Sequence, residues 1–91
     1  MAIDPFVDAL DAIMAVFCED HGGFDFAMPM VRKQVEATGM DFHRPTVAQL
    51  EDLINRLVAI SKDMKGDAFA RQEKRKLISI LRKAERGEPL D

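Results

Sequence analysis

A chain of 91 residues, 47% apolar and 32% charged, has enough apolar material for one small core and too much for disorder. Its net charge of −3, its pI of 5.3 and its lack of Trp and Tyr weigh against nucleic acid as a partner. One cysteine, Cys18, excludes an intrachain disulfide and fits a reducing, cytoplasmic setting, while no run approaches the roughly 20 apolar residues of a membrane span.

The first predicted helix, about 5–20, opens with Asp4 as N-cap and Pro5 at the first helical position, and stops at Gly22-Gly23. Phe6, Leu10, Ile13, Met14, Phe17 and Cys18 share one broad face, opposite Asp4, Asp8, Asp11 and Glu19. A face this wide suits a central helix, or one that also buries surface between two copies of the chain. Acids interrupt this apolar stretch and no basic residue precedes it, so it does not read as a signal peptide.

The second helix is expected over about 26–38, with Asp25, ahead of Met28, as its cap, Pro29 in its first turn and Gly39 as its stop. The third, 47–65, carries the clearest start signal: Thr46-Val47-Ala48-Gln49 has the capping-box pattern. Val47, Leu50, Leu53, Ile54, Leu57, Val58 and Met64 follow at helical spacing, with Asp52 and Arg56 one turn apart on the solvent side. The fourth, about 68–86, is expected to start from an Asp67 cap paired with Arg71, and to bury Ala70, Leu77, Leu81 and Ala84. No segment alternates with period two. The reading is an all-α four-helix bundle forming one domain over 1–91, with 87–91 a short tail.

Charge is sorted along this bundle. Residues 1–31 hold six acids and no Lys or Arg, whereas residues 67–86 hold seven bases against three acids. Arg71, Arg75, Arg82 and Arg86 fall in one narrow lane beside the apolar stripe of the last helix. Guanidinium groups in a lane suit carboxylates or phosphates, because each engages two oxygens at once. If the first and last helices are neighbours, Asp8 and Asp11 are placed to meet Arg75 or Arg82, within one chain or between two.

Phe24, Phe26, Met28, Met30, Met40 and Phe42 lie in or beside the two connections that flank the second helix. Adaptable side chains of this kind either plug the ends of a small bundle or form a sticky face for a partner helix.

Chemistry-bearing patterns are weaker. His21 and His43 sit far apart with no zinc or calcium spacing, so no metal or other cofactor is expected, and His21 reads as a partly buried residue at a helix end. Ser61 and Ser79 lie inside helices, with no glycine-rich elbow and no histidine nearby in sequence. Cys18 faces the core, where a thiol stays protonated. The seven residues from Gly39 to Pro45 exceed a helix-turn-helix turn. The sequence therefore points to a non-catalytic interaction or regulatory module, binding a protein partner or forming a homodimer, with no small-molecule substrate and no membrane. The alternative is a nucleic-acid-associated protein that lays the basic helix 67–86 on phosphates.

Overall fold

Local chemistry fixes where each helix begins. The Asp4 carboxylate accepts a hydrogen bond from the Phe6 amide at 2.9 Å, with Pro5 next in line, and α1 runs Pro5–Asp20. At Thr46 the capping box is complete: the Gln49 amide donates to Thr46 Oγ1 at 3.1 Å and the Thr46 amide to Gln49 Oε1 at 3.2 Å. That box starts α3, Val47–Lys65, on whose solvent side Arg56 donates to Asp52 at 3.1 Å.

Two starts differ from expectation. The second helix, α2, runs Phe24–Thr38, so it begins one half-turn early, with Gly23 as its cap. Asp25 lies inside the first turn, where its charge complements the helix dipole instead of capping. Pro29 falls in the second turn, on the exposed side, where its ring leaves the Asp25 carbonyl without the usual amide donor. The fourth helix, α4, runs Asp67–Glu85, and its cap is Gly66. Asp67 pairs backwards with Lys62 at 3.6 Å and not forwards with Arg71. Gly66 ends α3 and starts α4 by itself; its φ of 89° and ψ of 176° reverse the chain in one residue, in a region open essentially to glycine alone.

The structure, a computed structural model, describes residues 4–90, so Asp91 of the expected tail lies outside it. Over that span the chain is a four-helix bundle, with no strand among the described residues. α4 packs on α3 and α1, and α2 packs on α1 and α3. Contacts at the ends set the directions. Asp20 meets Lys76 and His21 meets Phe69, whereas Asp8 and Ala12 border a cleft shared with Pro89 and Leu90 beyond the end of α4. Arg82 likewise approaches Glu51 near the start of α3 at 3.9 Å. The four helices thus run up, down, up and down.

The wide apolar face of α1 is explained inside one chain. α1 touches all three other helices and buries Ala9, Leu10, Ile13, Phe17 and Cys18 among them. Leu50, Leu53, Ile54 and Leu57 of α3 and Leu77, Leu81 and Ala84 of α4 complete the core. Leu90 packs against it from the tail.

Candidate functional site

One end of the bundle gathers the unusual residues. There α1 stops, α2 starts, α3 stops and α4 starts. His21 closes α1, its amide donating to the Cys18 carbonyl at 3.2 Å, and Gly22 and Gly23 turn the chain with φ of 92° and 96°. Gly22 also admits a close approach, since a Cβ there would stand 3.1 Å from the Phe26 ring. α2 then presents Phe24 and Phe26 to solvent, 62% and 60% exposed. Phe24, Met28 and Pro29, with the acids Asp25 and Glu36 and the bases Arg32 and Lys33, line an open groove of about 460 Å³ along the outer side of α2. Met64 near the end of α3 is exposed at this end too.

Directly behind the turn lies a buried polar cluster. His21 is 2% exposed and Ser61 0%, and the two are joined by a 2.8 Å hydrogen bond between Nε2 and Oγ. The imidazole is held between Phe17, at 4.1 Å between ring centroids, and Phe69, edge-on at 5.4 Å. His21 Nδ1 has no partner among the protein atoms described. Burial, aided by the charge of Lys65 and opposed by that of Asp20, holds His21 below its ordinary value, so the ring favours its neutral form. A serine–histidine pair sealed in this way reaches no substrate.

Beside it Glu73 of α4 is 1% exposed, and its Oε1 has no partner among the described residues. Its carboxyl lies against that of Asp20, the last residue of α1. Lys76 Nζ donates to Asp20 Oδ2 at 3.0 Å, and Lys65 Nζ, 4.8 Å from the Phe69 ring centre, donates to the Asp20 carbonyl at 2.9 Å. Burial pushes Glu73 up to about 7; the hydrogen bond and charge of Asp20 add to this, and Lys76 and Lys65 oppose it. For Asp20 burial works upward, but the hydrogen bonds from Glu73 and Lys76 outweigh it and leave the group below the usual carboxylate range.

Half of this cluster is written in the helical spacing. Glu73 continues the inner stripe Ala70, Leu77, Leu81 at spacings of three and four, and Ser61 continues Leu50, Ile54, Leu57 in the same way. A polar residue on such a stripe is buried by its neighbours. The partner that makes Ser61 bearable, His21, lies 40 residues away, and only the fold brings it near.

The expected binding residues separate into two groups. Phe24 and Phe26 stand at the turn end, with Met28 and Met30 half-buried against the core. Met40 is buried at the opposite end and plugs the bundle there, so it has no surface to offer a partner. Phe42 is exposed at that far end, about 22 Å away along the 15 residues of α2. The arginine lane is also divided. Arg82 contacts Glu51 and Glu85, and Arg86 contacts Glu88 at 2.6 Å. Arg71 and Arg75 make no ion pair among the described residues and, with Lys74 and Ile78, line a shallow groove of about 300 Å³.

The anticipated meeting of Asp8 or Asp11 with Arg75 or Arg82 is not made within the chain. α1 lies on the Lys76 flank of α4, as the Asp20 contact shows, whereas the arginines follow the flank toward α3, as Arg82 and Glu51 show. The two flanks are about 100° apart on a helical wheel.

Cys18 is buried, which pushes its thiol above the ordinary value. No three His, Cys, Asp or Glu residues among those described are grouped to hold a metal ion, and no described helix is long and apolar enough to cross a membrane. Compared with protein-family models, with curated proteins and with solved structures, the chain matches none.

Proposed function

We propose that this chain is a non-catalytic, regulatory protein–protein interaction module that docks an acidic, amphipathic segment of a partner protein on the turn end of α2. The observation that carries the reading is the exposure of Phe24 and Phe26 at the start of α2 beside a groove. Aromatic anchors of this kind supply most of the energy of small interfaces. Charge at the groove itself is balanced, Arg32 and Lys33 against Asp25 and Glu36; what favours an acidic partner is the positive field of Arg71, Lys74 and Arg75 on α4, which make no ion pair among the described residues. The sealed Ser61–His21 pair supports a role without catalysis.

The test uses a synthetic amphipathic helix with leucines at i, i+3, i+4 and i+7 and glutamates on its flanks, titrated while amide shifts are followed. Shifts confined to residues 23–36, weakened at least tenfold in the double variant Phe24→Ser/Phe26→Ser, support the reading. Shifts scattered over the bundle, or equal binding by the variant, overturn it. A dimer in light scattering that the same variant dissolves would make a second copy the occupant. The unpaired Arg71, Lys74 and Arg75 favour a second reading, in which they lie on nucleic-acid phosphates. Binding of a DNA duplex that collapses between 50 and 200 mM salt would put that reading first.

A further inference from the structure

We propose that the Asp20–Glu73 carboxyl pair, clasped by Lys76 behind the His21–Ser61 hydrogen bond, is a proton-operated latch on the His21-Gly22-Gly23 turn. Through that turn it sets how Phe24 and Phe26 are presented. The link to binding rests on the docking reading above; the latch itself does not.

The charges at this end of the bundle do not balance. Glu73 sits on the inner stripe of α4 and is shut off from water, with one carboxyl oxygen unbonded. A bare carboxylate in that position is a buried charge without adequate compensation. Its neighbour Asp20 is a second acid, and the ammonium that reaches the pair bonds Asp20. Two facing carboxyls with one lysine in contact are best served by a single proton held between them, Glu73 donating to the Asp20 carboxylate. Every group facing the pair can be named. From α1 come Asp20 and His21, from α3 Lys65, and from α4 Lys76. Burial holds His21 toward its neutral form, so around neutrality the two lysines alone oppose the two acids.

Loss of the shared proton sets two carboxylates against each other. Glu73 lies on the inner stripe of α4, in its second turn, and cannot leave without displacing the helix. Asp20 is the last residue of α1, only half-buried, and beyond it the chain has two glycines. The strain is therefore relieved at the turn. His21 follows Asp20 directly and is anchored through Nε2 to Ser61, while Gly22 packs on the Phe26 ring. A shift of Asp20 thus moves the surface against which Phe26 rests. Proton on, the turn is held closed; proton off, it is loosened. The change falls around neutrality, because burial and Asp20 raise Glu73 to about 7.

Carboxyl carbon shifts and backbone amide shifts, recorded from pH 4 to pH 9 on the intact chain, read the latch without any ligand. Glu73 is expected to titrate near pH 7, and the amides of Gly22, Gly23 and Phe26 to move with the same midpoint. In Glu73→Gln, which keeps the shape and a donor, that inflection disappears. In Asp20→Asn, which removes the facing charge, the Glu73 midpoint falls. Titration of Glu73 near its ordinary 4.5 in the wild type, turn amides without an inflection near pH 7, or an inflection near pH 7 that survives in Glu73→Gln would each overturn the latch. Since no partner is present, a failed latch and a failed docking surface are told apart.

Discussion

Glu73 is the residue at which this fold carries an avoidable cost. A carboxyl whose folded value is raised from 4.5 to about 7 favours its protonated form in the native state. Below pH 4.5 it is neutral in both states and costs nothing; between 4.5 and 7 the cost grows; above 7 it is constant. His21 acts in the opposite sense. Its folded value is lowered from 6.5, so the stability it lends is present above pH 6.5 and is lost as pH falls through the folded value. Asp20, also lowered, lends stability above about 3.8 that is lost on further acidification. Below pH 6.5, down to the folded value of His21, its rising slope offsets the falling slope of Glu73, so the wild type should show a shallow profile there. Glu73→Gln removes the falling limb. Its stability relative to wild type should rise from pH 5 to pH 8 by up to about 3 kcal/mol, the free energy of such a shift. Urea midpoints at the two pH values measure this, and an unchanged gap between the proteins would contradict it. That Glu73 is buried was legible in its spacing; that it faces Asp20 was not, because helical periodicity gives the face of a residue and never its neighbour across the bundle.

At the scale of elements, starts built from side chains were readable and starts built from glycine were misplaced. Asp4 and the Thr46–Gln49 box announce themselves because the hydrogen-bonding side chain is itself the signal. At Gly23 and Gly66 the backbone alone turns the corner, and the acid that follows each, within two residues, imitates a cap that is not formed. Pro29 strengthened the error at α2, because proline favours a first turn yet sits here in the second. Gly66 carries the consequence. Nothing lies within 4 Å of the place a Cβ would take, so Gly66→Ala meets no obstacle in space and is opposed by backbone conformation only. A non-glycine residue in that region costs about 1–3 kcal/mol. The urea midpoint of Gly66→Ala should fall accordingly, and asparagine, which tolerates the left-handed helical region but not this one, should give no rescue. A midpoint equal to wild type would mean that the α3–α4 junction rearranges without cost.

For the whole molecule, the segregation of charge along the chain does not become a set of internal ion pairs. The acids of α1 face outward and the arginines of α4 follow the α3 flank, so the only α1–α4 side-chain ion pair among the described residues is Asp20–Lys76 at the turn end. The sequence showed both lanes but not which way α4 is rotated against α1, and that rotation decides whether they meet. Arg71 and Arg75 are therefore exposed cations in the first half of α4, a helix that does not touch α2, whereas Arg82 is held by Glu51 and Glu85. The double variant Arg71→Glu/Arg75→Glu should leave stability within about 0.5 kcal/mol of wild type, as expected for surface positions without a partner. Its affinity for the acidic amphipathic peptide should drop several-fold at low salt, and the difference should close at high salt as screening takes over. A Phe24→Ser/Phe26→Ser loss should persist at both salts, because apolar burial is not screened. If the arginine variant instead binds the peptide as wild type does at low salt but has lost all affinity for a DNA duplex, the cations serve phosphates and the aromatic end serves another purpose.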